Sequence, residues 1–181
     1  MVSQAENKLQ LNQIALQPFG PEDFKTLIQW IDSEESLLQF AGPFFSYPID
    51  EHQLSQYLND QNRFVFKVIN TETGQSIGHA EAFLQSPQVV VLCRILIGEA
   101  KWRGKGIGLT ITQLLLQFSF ETLHAQQVQL NVFDWNTGAI RCYLKAGFRQ
   151  LDICPAPLTI NGVQWKGISM AIHRADYKAD T

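Results

Sequence analysis

Residues 89–108 read VVVLCRILIGEAKWRGKGIG, and the fold turns on this stretch. Val89 to Ile97 is apolar on both alternating faces, the composition of a strand covered on two sides and therefore central in its sheet. Glycine then punctuates the chain at Gly98, Gly104, Gly106 and Gly108. Beyond it Ile111, Leu114, Leu115, Phe118 and Thr122 recur on one face of a helix predicted over Leu109 to Leu123.

Upstream, Phe64 to Ile69 and Ile77 to Leu84 are strand-like runs separated by a Thr73-Gly74 turn, and Ser86-Pro87 turns the chain into Val89. Three strands with short turns predict an antiparallel meander. Before it come a strand over Leu9 to Leu16 stopped at Pro18, a helix from Pro21 to Ile31, and a short helix over Asp50 to Leu58 capped by Asp50. Ala41 to Pro48 breaks the pattern and carries Phe44, Phe45 and Tyr47 on a loop, either as packing or as a substrate-facing wall. Downstream, Val128, Leu130 and Val132 alternate, a helix spans about Asn136 to Ala146, and a strand opens at Gly147-Phe148. Strand, helix, strand, helix, strand predicts crossover units with parallel neighbours. Asn161-Gly162 is a turn before a last strand containing Ile168, Met170 and Ile172.

At 181 residues the chain has room for one core, so residues 1–181 read as a single domain. Fourteen Lys and Arg against 17 Asp and Glu give a net charge of -3, which offers no basic excess for a nucleic-acid backbone. The apolar run Val89 to Cys93 is far too short to span a bilayer, and MVSQAENKLQ is polar rather than a signal segment. A cytoplasmic protein is expected. Cys93, Cys142 and Cys154 are odd in number and unsuited to a disulfide framework. His52, His79, His124 and His173 share no ligand spacing, so no metal is expected.

The turn Arg103-Gly104-Lys105-Gly106-Ile107-Gly108 joins a buried strand to an amphipathic helix. Glycines there permit positive φ and close backbone approach, and helix-start N–H groups converge on an anion. A phosphate or pyrophosphate is the natural guest. The Walker A spacing fails, because five residues separate Gly98 from Gly104 and Lys105 is followed by glycine rather than a hydroxyl residue. G-x-G-x-x-G fails too, since the glycines fall at 104, 106 and 108.

Arg103 to Gly108 resembles the Q/R-x-x-G-x-G/A signature of the GNAT superfamily of acyl-CoA N-acyltransferases. Asn136, Tyr143 and Gly147-Phe148 resemble its second hallmark, at the proper separation. The resemblance covers at least Arg63 to Phe148. It implies a mixed α/β fold: a central, mostly antiparallel twisted sheet of about seven strands with a parallel splayed pair, flanked by about four helices. It implies acetyl-CoA as co-substrate, with backbone groups at Leu96, Ile97 and Gly98 pairing with the pantetheine arm. Arg103, Gly104, Lys105, Gly106, Ile107 and Gly108 would cradle the pyrophosphate, Asn136 would hydrogen-bond the arm, and Tyr143 would sit near the thioester sulfur. Homodimerisation is a family expectation, with Gln164 to His173 as the candidate pairing edge.

Amine acetylation needs a neutral amine, and a group of pKa about 10.4 is neutral only about one part in a thousand near pH 7.4, a cost of roughly 4 kcal/mol unless its proton is removed. Tyr143 has the proton inventory to protonate the departing thiolate. An N–H near Ile97 is a plausible oxyanion donor. Some members of the superfamily carry a base five residues before the Asn, but Asn131 stands there. Glu81, Glu99, His79 and Asp134 remain as candidate bases, Glu81 foremost because it shares a strand face with His79; an ordered water relay is the alternative. The expected activity is acetyl transfer to a primary amine of a small molecule or peptide by direct attack, and the alternative is a non-catalytic acyl-CoA sensor or scaffold. Pro21 to Leu58 and the 155–165 loop would wall the acceptor site, with Glu34, Glu35, Asp50 and Glu51 steering a cation.

Overall fold

The computed structural model describes residues 9–178; the polar start, residues 1–8, lies outside them. An eight-stranded sheet has the order β1-β2-β3-β4-β5-β6-β10-β7, built from β1 (Leu9–Leu11), β2 (Ile14–Pro18), β3 (Arg63–Asn70), β4 (Ser76–Ser86), β5 (Val89–Ile97), β6 (Gln127–Phe133), β7 (Arg149–Gln150) and β10 (Gly167–His173). A separate hairpin pairs β8 (Leu158–Ile160) with β9 (Val163–Trp165) across Asn161-Gly162. The single strand expected over Leu9 to Leu16 is a hairpin, because Asn12 and Gln13 take positive φ of 46° and 65° and fold the chain back.

The meander forms as expected, with β3, β4 and β5 antiparallel. One face carries Phe66, Val68, Ala80, Ala82, Val90, Leu92, Val128 and Leu130 against α4 (Ile107–Gln117) and α5 (Thr137–Lys145). The other is covered by α1 (Phe24–Trp30), α2 (Glu34–Ala41) and α3 (Glu51–Leu58), which bury Leu27, Leu37, Phe40, Leu54 and Tyr57 over Val65. Both faces of the sheet are therefore dry, which is why β5 can be apolar throughout. Five α-helices are present among the described residues, one more than expected. The addition is α2, started by a reciprocal Ser33–Ser36 box in which each side chain accepts from the other's backbone N–H.

Three further expectations are corrected. Among the described residues only the β5–α4–β6 crossover gives parallel neighbours, because β10 inserts between β6 and β7 and is antiparallel to both. Its Met170 and Ile172 are buried on the α4–α5 face, which the two-residue β7 could not cover. Gln164 to His173 is accordingly not one edge strand: Gln164 and Trp165 belong to β9, and β10 is paired along its length with β6 and, over Met170 and Ala171, with β7. The helix expected to Leu123 stops at Gln117 and continues as a π-helical turn over Phe118–Thr122.

Candidate functional site

The parallel pair is short. Val89–Leu92 pairs with Gln127–Leu130, and beyond that point Cys93–Ile97 and Asn131–Phe133 run on unpaired with each other. The main chains thus diverge into a wedge that opens at the carboxyl ends of both strands. A β-bulge marks where it begins: His79 pairs with Leu96 and Glu81 with Cys93, so β5 carries an extra residue, and Arg94 adopts φ of 48°.

At the wide end of the wedge lies the glycine turn. Arg103, Gly104, Lys105 and Gly106 are exposed, Gly104 and Gly106 have φ of 74° and 80°, and a Cβ at either would meet nothing within 4 Å. Gly106 caps α4 in the left-handed region, and its carbonyl accepts from Leu109 and Thr110. The N–H groups of the turn and of Ile107 and Gly108 thus lie at the positive end of an 11-residue helix, with Lys101 and Lys105 flanking Trp102 at 5.6 and 5.4 Å from its ring. This exposed, cationic turn of main-chain donors suits a pyrophosphate, and the wedge that leads from it suits an extended arm with amide groups. The Arg103 guanidinium reaches back, donating to the carbonyls of Ile97 and Gly98 at 3.2 Å each. Gly98 itself is pressed by Trp30 of α1, where a Cβ would lie 2.1 Å from the indole.

The structure brings Tyr143 to the same side as the turn: it sits on α5, packs on Phe148 at 6.0 Å between ring centroids, and follows Cys142, whose Sγ lies 3.9 Å from Thr112 Oγ1 of α4. Burial pushes the Tyr143 phenol well above its ordinary pKa, with the neighbouring Cys142 adding to it, so it remains a proton donor at neutral pH. Burial likewise raises the Cys142 thiol and pushes Cys93 up to about 12, which leaves both as thiols rather than nucleophiles. Asn136 is the N-cap of α5; its Oδ1 accepts from Ala139 N at 3.2 Å, which leaves the amide nitrogen as the group to offer a ligand.

Glu81 lies elsewhere in chemical terms. Its carboxylate has no exposure, and Oε1 accepts from Arg63 Nη1 at 2.6 Å while Oε2 accepts from Arg94 Nη1 and Tyr57 Oη, each at 2.5 Å. Phe44 lies over both guanidinium groups, 3.9 Å from Arg94 and 4.6 Å from Arg63. Phe44 and Phe45 of the Ala41–Pro48 loop thus pack over this cluster, while Tyr47 stays 46% exposed. Sequence reasoning missed Arg63, Arg94 and Tyr57; an arginine inside an otherwise apolar strand was the one available signal. His79 is fully buried, and its Nδ1 lies 2.8 Å from the Arg94 carbonyl, which can only accept, so the proton sits on Nδ1, and among the described residues Nε2 has no partner. Glu99 is paired with Lys101 at 2.8 Å, and Asp134 is exposed.

The acetyltransferase (GNAT) domain family matches residues 13–149 of this chain. An N-acetyltransferase 9-like protein of Nematostella vectensis is 24% identical over 152 residues, covering 78% of this chain and 77% of that one. Among solved structures, spermidine N-acetyltransferase from Vibrio cholerae in complex with CoA and spermine superposes with a TM-score of 0.77 at 20% identity, covering 91% of this chain and 97% of that one. AAC(6')-Ib in complex with ribostamycin and coenzyme A does so with a TM-score of 0.71, also at 20% identity, covering 91% and 96%. Among the described residues no helix is long and apolar enough to cross a membrane.

Proposed function

The chain belongs to the acetyltransferase (GNAT) domain family, and we propose that it transfers the acetyl group of acetyl-CoA to a primary amine by direct attack within a ternary complex. What carries this reading is the continuity of one surface: a wedge between β5 and β6, open from Leu92 and Leu130, runs into an exposed glycine cradle at the start of α4. The relatives and fold neighbours named for N-acetyltransfer, two of them holding CoA or coenzyme A, support the same donor.

In this reading Gly104 to Gly108 hold the pyrophosphate by main-chain N–H groups, and Arg103 and Lys105 add charge. The pantetheine arm lies in the wedge along Leu96, Ile97 and Gly98, with the Asn136 amide donating to it. Arg103 then releases the Ile97 and Gly98 carbonyls to the arm. The thioester brings the acyl group; this chain orients it and manages protons. Tyr143 donates its phenolic proton to the departing thiolate sulfur.

The base is assigned differently from the first expectation. Glu81 has both oxygens engaged by two guanidinium groups and a phenol, and it holds the bulge rather than facing the acceptor. With Glu99 paired to Lys101, the acceptor proton leaves through water in the open mouth of the wedge.

Calorimetric titration with acetyl-CoA and with ATP, followed by thiol release over an amine panel, tests the proposal. Micromolar binding of acetyl-CoA but not ATP, with thiol release dependent on an amine, is expected. No acetyl-CoA binding overturns it; binding without turnover of any amine would make the chain an acyl-CoA sensor.

A further inference from the structure

Beside the mouth of the wedge is a pocket lined by Ser33, Glu35, Ser36, Gln39, Trp135 and Trp165. Its position follows from the chain. Phe40, near the end of α2, packs on His79 at 5.3 Å, and His79 pairs with Leu96, so α2 stands over the end of β5. Trp135 follows directly on the end of β6, and Asp134 N donates to Lys166 O at 3.0 Å, which ties this turn to the link after β9. A pocket between α2 and these two tryptophans therefore spans the gap that β5 and β6 leave as they diverge.

The lining has a definite chemistry. Trp135 and Trp165 meet edge to face, 5.0 Å apart at 75°, and Phe133 stacks flat on Trp135 at 5.7 Å and 4°. Phe133 also meets Trp165 edge-on at 5.0 Å, so both indoles are held in place. Trp135 nevertheless remains 44% exposed, with ring surface open to a ligand. Ser33 and Ser36 are spent on each other in the helix cap. Glu35 is the one ionisable group in the lining; its Oε1 accepts from Asn161 Nδ2 at 3.3 Å, and among the described residues no lysine or arginine pairs with it. Indole faces beside an uncompensated carboxylate recognise an organic cation by quadrupole and charge together.

Given the acetyl-transfer reading, on which this inference rests, the reacting amine must be neutral when it attacks, so it is not the group that such a pocket holds. We infer that the acceptor carries a second, non-reacting cationic group, and that Trp135, Trp165 and Glu35 bind it while the free amine points into the wedge. The substrate class is an aliphatic amine tethered to an ammonium group. Trp135 and Glu35 determine specificity through binding, without touching the reacting atoms.

The test compares (3-aminopropyl)trimethylammonium with its isostere 4,4-dimethylpentylamine, two primary amines of the same shape that differ only in the fixed quaternary charge, a tert-butyl group replacing the trimethylammonium. Acetyl-CoA-dependent thiol release is expected to show kcat/KM about tenfold or more higher for the cation, carried by KM. In Trp135→Leu and in Glu35→Gln the ratio should fall to about threefold or less. Equal kcat/KM for the two amines, or a ratio unchanged in both variants, overturns the inference. If neither amine is acetylated, or if acetyl-CoA itself fails to bind and the acetyl-transfer reading falls, tryptophan emission titrated with choline and with its uncharged isostere 3,3-dimethylbutan-1-ol still decides. Saturable quenching by the cation alone, lost in Trp135→Leu, keeps the cation site; identical responses to both compounds remove it.

Discussion

Glu81 Oε2 lies 2.5 Å from Arg94 Nη1, and this contact joins the middle of β4 to the bulge of β5 in a place closed to water: the Glu81 side chain has no exposure and that of Arg94 7%. Arg94 holds a left-handed backbone at φ of 48° that a side chain seldom adopts without support. The ion pair is what ties it there. Removing one partner of a buried pair strands the other charge, so Glu81→Ala is expected to cost about 3–5 kcal/mol in urea unfolding. Glu81→Leu combined with Arg94→Met should recover much of this, because Arg63 keeps Asp60 at 2.9 Å. If Glu81 served instead as general base, Glu81→Gln would lower kcat by about 10²-fold or more in a folded protein; a change within about tenfold is expected.

Tyr143→Phe removes one oxygen from a residue already packed on Phe148, so the fold and acetyl-CoA affinity should be kept. Turnover should fall by about 10²-fold, the usual worth of a positioned acid. Because burial raises this phenol, its titration should not depress kcat until above the ordinary tyrosine range. A rate profile between pH 6 and 10 checks both points. Retained turnover across that range would remove Tyr143 as the acid.

Gly106→Val forces a β-branched residue into φ of 80° and puts its methyl groups where the cradle is open. Strain of about 1–3 kcal/mol is expected in stability, and loss of measurable acetyl-CoA binding by calorimetry. Lys105→Ala, which leaves the main-chain donors in place, should weaken binding by only about tenfold or less. Unchanged affinity in Gly106→Val would sink the pyrophosphate assignment.

What could be read in the residues was what local chemistry dictates. Val89 to Ile97 announces a strand covered on both faces, and glycines at 104 and 106 announce positive φ beside a helix start; neither statement needs a distant partner. The insertion of β10 beside β6 is different, since the alternation of Ile168, Met170 and Ile172 states which face is buried and not which strand lies next to it. The surroundings of Glu81 were illegible for the same reason. Its partners Tyr57, Arg63 and Arg94 are contributed by three separate elements, and only the folded sheet shows that the carboxylate is already engaged. Glu35 and the 155–165 loop were expected at the acceptor wall, and the pocket does join Glu35 to Trp165, but the aromatic pair with Trp135 depends on how the β8–β9 hairpin docks.

His79 makes acid sensitivity a property of the fold. Burial lowers its pKa from the ordinary 6.5 to about 4, and the hydrogen bond to the Arg94 carbonyl opposes that shift without cancelling it. The ring is held between Phe19 at 5.0 Å and Phe40 at 5.3 Å, and among the described residues Nε2 has no partner to which a second proton could be offered. Below pH 6.5 the unfolded chain takes up a proton at this position that the folded chain refuses until about pH 4. Stability from this group is therefore complete above pH 6.5 and is lost as the pH falls toward 4, by about 3 kcal/mol over the whole window. Urea unfolding at pH 7, 5.5 and 4.5 should show a steeper loss in the wild type than in His79→Gln, which keeps an N–H donor but does not titrate. Parallel stability curves for the two proteins would show that His79 takes up its proton in the folded state as readily as in the unfolded one.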